Sequence, residues 1–245
     1  MSRRSLVWLI VIAAFAVILV RSKTIQISRF QVIYLCVLIP SIILHEISHG
    51  AVANAFGDDT AKRAGRLTLN PIPHIDPVGS LILPAVLALS HSPAAFGWAK
   101  PVPVNVSRLR HPRNQSVLVS LAGPATNALL FAACALVFRY LLAHRLFLST
   151  TQSTMPLGYE VLFTAALANM TLCFFNLLPI PPLDGSAVVE RVLPERHLHR
   201  YFQLRPYGMA IVLVVALLVF RNPSVQGHLF GGEIRLWNAV AGTAF

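Results

Sequence analysis

An all-α, polytopic membrane protein of about five or six transmembrane helices is the fold class that the sequence predicts. Three observations predict it. Of 245 residues, 56% are hydrophobic and only 12% are charged, against about 25% charged in a soluble domain. Mean hydropathy is +0.66. The apolar residues fall into long blocks with the charges gathered between them, as segments crossing a hydrocarbon layer of roughly 30 Å require.

Leu6 to Val20 is an unbroken apolar run behind Arg3 and Arg4. It is slightly short for the ~20 residues of a span, and snorkelling by Arg21 and Lys23 closes the gap. No small-x-small cleavage site follows Val20, so a span is expected rather than a signal peptide. Phe30 to Phe56 is a second block, interrupted by His45, Glu46, Ser48 and His49. Residues 57–113 are polar and Pro-rich around one short apolar stretch, Val78 to Leu89. Val117 to Ala143 and Leu157 to Leu178 are full-length blocks, and Tyr207 to Phe220 is a span of marginal length. The stretch after Gly185, to Arg205, is charged and reads as a short interfacial helix. The tail 221–245 carries Glu233 and Arg235 and reads as too polar to span, hence interfacial. With no internal repeat and no low-complexity segment, residues 1–245 are expected to form a single membrane-embedded domain.

The net charge is +11, from 20 Lys and Arg against nine Asp and Glu. In a soluble chain this excess would suggest nucleic acid. Here the basic residues lie mostly between apolar blocks, where they set topology and meet anionic headgroups. No nucleic-acid recognition module is visible, so the expected partner is the lipid bilayer. Cys36, Cys134 and Cys173 lie within apolar blocks without a CxxC and read as small core residues.

The chemistry is concentrated in one block. His45-Glu46-Ile47-Ser48-His49 reads HExxH. On a helix, residues i and i+4 share a face, so two imidazoles can grip one Zn²⁺. Glu46, offset by roughly 100°, reaches a metal-bound water and can act as general base on it. Ionisable groups at bilayer depth cost on the order of 3 kcal/mol each, and a metal supplies the compensation. A catalytic zinc needs a third protein ligand and an open position. The acid available at the edge of another membrane block is Asp184, behind Pro179, Pro181 and Pro182, which prevent a regular helix. Broken backbone at membrane depth is tolerated where it lines a cavity. Asp184 can also be read as a helix N-cap, a role compatible with ligation.

Topology constrains this assignment. His45 lies towards the C-terminal end of its block and Asp184 just beyond the C-terminal end of another. They meet only if the chain crosses the membrane an odd number of times between them. Val117 to Ala143 is one crossing. Val78 to Leu89, about 18 Å long as a helix, is too short for a second and reads as re-entrant or interfacial. With the N-terminus inside, thirteen of the 20 basic residues fall on the inner side. That obeys the positive-inside rule and places the metal near the cytoplasmic face.

Softer features have plainer readings beside them. Asn176 can hydrogen-bond an extended substrate or simply satisfy its own helix end. Gly123-Pro124-Ala125-Thr126-Asn127 puts small residues in a span, where close helix packing is expected. His74 and Asp76 read as parts of a Pro-rich turn.

These residues resemble the site-2 protease family of intramembrane zinc metalloproteases, peptidase family M50. HEISHG at 45–50 is similar to its zinc-binding helix, and NLLPIPPLDG at 176–185 to its second signature. GRLTLNPIPHIDPVGS at 65–80, FGWAKPVPVN at 96–105 and GPATN at 123–127 look like the segments between. The resemblance implies a three-helix catalytic core, with zinc held by His45, His49 and Asp184, and Glu46 as catalytic acid and base. It implies a substrate-positioning role for Asn176. It implies cleavage of single-pass membrane proteins in or near the transmembrane segment, in a bacterial or archaeal cell membrane. Residues 57–113 look like the family's membrane-associated region, partly β, which takes the substrate as an added strand. Two rival readings are a membrane zinc transporter, which should carry further polar ligands on neighbouring spans, and an inactive zinc-binding scaffold, which should lack a catalytic residue type.

Overall fold

The computed structural model describes residues 29–82, 98–144, 146 and 156–243. The Leu6 to Val20 run lies outside them, as do residues 83–89 of the short apolar stretch. In chain order the helices are α1 (Arg29–Ala55), α2 (Thr60–Arg63), α3 (Pro112–Ala143), α4 (Leu157–Asn176), α5 (Ser186–Val192), α6 (Glu195–Phe202), α7 (Arg205–Arg221) and α8 (Pro223–Ala241). A π-helical turn covers Pro77–Ile82. Among the described residues there is no strand, so the partly β character expected of 57–113 is not found there. Pro101 and Pro103 explain this locally, since neither has an N–H to donate to a ladder.

α1, α3 and α4 are long and apolar enough to cross a membrane, and they pack on one another. Their outer faces expose Phe30, Leu35 and Ile39 on α1, Leu129 and Leu136 on α3, and Leu157 and Phe174 on α4. Leu129 is 71% exposed. A belt of this kind is a liability in water and the natural surface in lipid. The protein is a multi-pass integral membrane protein.

Contacts along the bundle set the helix directions. Arg29 at the start of α1 pairs with Glu160 at the start of α4 at 2.7 Å. Further along both helices, Asn169 Nδ2 donates to Ser41 Oγ at 2.9 Å. At the far end, Asp184 follows α4 and faces His45 of α1 at 3.1 Å. α1 and α4 therefore run in the same direction. α3 runs against them, because Asn127 lies beside His45 and the earlier Val119 beside the later His49. This is the arrangement that an odd number of crossings demands.

At the opposite end of the bundle the core is aromatic. Trp237 of α8 is fully buried and stacks edge-on against Phe138 of α3 and Phe163 of α4. Tyr159 closes the cluster against Phe138. α8 runs antiparallel to α4, since Glu233 meets Thr171 while the later Trp237 meets the earlier Phe163.

The region between α1 and α3 folds back on itself. Trp98 N donates to Gly79 O at 3.2 Å, and Ser80 Oγ donates to Trp98 O at 2.8 Å. The chain thus stands at one depth both before and after residues 83–97. His74 donates from Nε2 to Thr68 O, and Asp76 Oδ1 accepts from Val78 N and Gly79 N. These two side chains are parts of the turn, as expected of a Pro-rich stretch.

Candidate metal centre

His45 and His49 project from one face of α1, and both are buried. Their Nε2 atoms stand 3.1 Å and 3.4 Å from Asp184 Oδ2. Within the described residues this is the group of three metal-ligating side chains that comes together, with its ligand atoms all within 4.8 Å of one another. Asp184 reaches it because the loop after α4 is closed onto the helix end. Gly185 N donates to Asn176 O at 2.7 Å, and Leu183 N donates to Ile180 O at 2.8 Å. The Asp184 carboxylate does not cap α5, whose N-cap is Gly185 with no side-chain hydrogen bond.

The protonation pattern follows from what each ring nitrogen touches. His49 Nδ1 stands 2.7 Å from Val119 O. A carbonyl oxygen only accepts, so Nδ1 carries the proton and, in the neutral ring that binds metal, Nε2 presents a lone pair. His45 Nδ1 stands 2.5 Å from Asn127 Oδ1. That amide is oriented by a chain of donors: Asn127 Nδ2 donates to Asn169 Oδ1 at 2.8 Å, and Asn169 Nδ2 donates to Ala165 O and Ser41 Oγ, each at 2.9 Å. The backbone carbonyl of Ala165 fixes the whole relay, so His45 is also protonated on Nδ1. Two nitrogen lone pairs then face one carboxylate oxygen. Asp184 Oδ2 is buried and accepts a hydrogen bond from neither. With both rings neutral that juxtaposition is repulsive unless a cation sits between them. With one, it is the two-imidazole, one-carboxylate donor set of a catalytic zinc site.

The space for such an ion exists because residue 123 has no side chain. A Cβ on Gly123 of α3 would lie 2.4 Å from His49 Nε2 and 2.5 Å from His45 Nε2. The site therefore fits one zinc, and the small residues of α3 serve this contact as well as helix packing.

Glu46 is half-buried, and its Oε2 accepts from Val102 N at 2.8 Å. Asn176 Nδ2 donates to Leu172 O at 2.9 Å, within its own helix. Asn127 and Asn169, both almost wholly buried, are hydrogen-bonded behind His45, and the sequence pattern did not single them out. The available signal was two amides in lipid-depth helices, each of which needs partners. An Asn127→Leu protein is expected to bind zinc about 10- to 100-fold more weakly. Asn127→Asp keeps an acceptor for His45 but loses the donor to Asn169 Oδ1, so it should fall between wild type and Asn127→Leu. Zinc competition against a fluorescent chelator measures both.

The comparisons with known proteins agree with this centre. Peptidase family M50 matches residues 142–220, which include Asp184. YwhC of Bacillus subtilis (strain 168) is 40% identical over 179 residues, covering 73% of this chain and 77% of its own. Rip2 of Mycobacterium tuberculosis (strain ATCC 25618 / H37Rv) is 31% identical over 212 residues, covering 85% and 75%. MJ0392 of Methanocaldococcus jannaschii is 20% identical over 183 residues, covering 75% and 41%. All three bear zinc-metalloprotease names. No solved structure matches the chain. A likeness to YwhC at this level, over most of both proteins, joins a buried donor set of the right chemistry, and the chain belongs to peptidase family M50, as a zinc protease working inside the membrane.

Proposed function

We propose that this protease cuts peptide bonds in or near the transmembrane segment of single-pass membrane proteins, with His45, His49 and Asp184 holding one Zn²⁺ and Glu46 as general base. The observation that carries the reading is the convergence of two imidazole lone pairs and a carboxylate oxygen on one buried point. Zinc bound there supplies Lewis-acid activation of water and of the scissile carbonyl. The remaining work belongs to the chain. Glu46 takes the proton of the attacking water on the oxygen that Val102 leaves free, then delivers it to the leaving amine. Asn176 orients the substrate backbone with its Oδ1 and its second amide hydrogen. The substrate helix enters laterally and unwinds, because a helical peptide bond is shielded and already hydrogen-bonded.

The same reading extends to the envelope of the chain. Residues 1–245 form a single domain of five to six spans, with 57–113 as a membrane-associated loop or re-entrant region; the 221–245 tail, expected at the interface, instead carries α8 packed along α4. The return of Trp98 to Gly79 supports the re-entrant part. The N-terminus and the active-site end face the cytoplasm of a bacterial or archaeal cell, supported by the basic excess on that side. A zinc transporter would need further ligands along a path, and among the described residues the metal-ligating side chains form one group.

The test has two steps. Single-pass proteins captured by the Glu46→Gln chain in its native membrane are expected to be cut by the wild-type chain in liposomes. A chelator should stop the cut, and one equivalent of zinc should restore it. Zinc flux without any cut, or capture of soluble proteins alone, would overturn the reading.

A further inference from the structure

Residues 100–105, Lys-Pro-Val-Pro-Val-Asn, lie against α1 at the metal centre without joining a regular element. Both ends are held by buried charges. Arg66, 7% exposed, donates from Nη2 to Lys100 O at 2.6 Å. Asp58, fully buried, accepts from Asn105 N on Oδ2 at 2.6 Å, while its Oδ1 is occupied by Thr60 N and Thr60 Oγ. Lys100 N donates to His74 O at 2.8 Å. Burying a cation and an anion is costly, and here both are spent on the backbone of one short segment.

Between these anchors the sequence limits what the segment can offer. Pro101 and Pro103 have no N–H and fix their own φ, so the amide between them is directed by its neighbours. That amide is Val102 N–H, and it meets Glu46 Oε2 at 2.8 Å. The Val102 side chain reaches α1 at Gly50, where an added Cβ would lie 3.0 Å from Val102 Cγ1 and 2.9 Å from Ala61 Cβ. Gly50 thus lets the segment approach the turn of α1 that carries Glu46.

We propose that Val102 is a positioning residue acting through its backbone N–H. It ties up one oxygen of Glu46 so that the other faces the reacting water, and Arg66 and Asp58 hold the segment in place for it. The proposal rests on Glu46 being the base. A glutamate side chain has three rotatable bonds, and a fixed donor selects one orientation from many.

The test compares Val102→Pro, which deletes the N–H, with Val102→Ala, which keeps it, in the purified full-length zinc-loaded protein. Fluorescein-labelled casein in detergent serves as the probe. Val102→Pro is expected to lower kcat by about 10- to 100-fold, with KM within about twofold and zinc still at one per chain. Val102→Ala should fall by less than about threefold. Arg66→Met and Arg66→Lys form a second pair, in which loss of kcat with Met and its recovery with Lys supports the clamp even if Val102→Pro fails to fold. A folded, zinc-loaded Val102→Pro at wild-type kcat overturns the proposal. So does a Val102→Ala that falls as far, or, where Val102→Pro does not fold, an Arg66→Met protein at full rate. Glu46→Gln is run beside them. Its inactivity beside a fully active Val102→Pro removes the clamp alone, whereas its activity removes the base on which the clamp rests.

Discussion

Glu46→Gln should keep one zinc per chain and lose peptide hydrolysis by about 10²- to 10⁴-fold, the usual contribution of a positioned general base. Glutamine has nearly the shape of glutamate, and its Oε1 still accepts from Val102 N, so the hydrogen bond at 2.8 Å survives. Neither imidazole nor Asp184 is altered. What disappears is the ability to take a proton from water. Single-turnover cleavage measured beside metal content separates the two effects. A Glu46→Gln protein cutting at wild-type rate would end the assignment.

Gly123→Val is expected to weaken zinc binding markedly without touching a ligand. Its Cβ alone would lie 2.4 Å from His49 Nε2 and 2.5 Å from His45 Nε2, well inside van der Waals contact. The rings cannot retreat easily. His49 is tied through Nδ1 to Val119 O and His45 to Asn127, both on α3 like Gly123 itself. Relieving the clash means shifting α3 away from α1 or breaking those hydrogen bonds. Overpacking of this kind costs about 1–3 kcal/mol even where neighbours yield, which corresponds to about a 5- to 150-fold loss of zinc affinity or more. Gly123→Ala should show a smaller loss of the same sign. Equal zinc binding by all three proteins would mean that the ion does not sit between α1 and α3.

The parts of this site that were legible in the sequence are those with a period or a cost. His45 and His49 stand at helical spacing inside an apolar block, where three ionisable groups in five residues demand a partner. Asp184 was legible because three prolines break the backbone in front of it. Their meeting was legible too, since span directions follow from counting crossings. Asn127 was hidden in a stripe of small residues that reads as helix packing, and Asn169 in an ordinary apolar helix. Hydrogen bonds across three helices leave no mark at fixed spacing. Val102 was harder still, because a backbone donor has no residue type. Only the flanking prolines hinted that a single N–H was on offer. α8 was obscured by Gly227, Gly231, Gly232 and Glu233, which dilute its hydropathy, although the fully buried Trp237 packs it onto α3 and α4. Among the described residues of 57–113 no strand forms, in keeping with what Pro101 and Pro103 remove from any ladder.

X-ray absorption at the zinc edge, on the purified protein and on Asp184→Ala, tests the shared centre most directly. Two imidazoles and a carboxylate on one ion predict nitrogen and oxygen neighbours at about 2.0–2.2 Å, no sulfur, and an open water position. They also predict that removing the Asp184 carboxylate changes the spectrum or empties the site. An identical spectrum at full occupancy in Asp184→Ala would contradict the three-ligand centre.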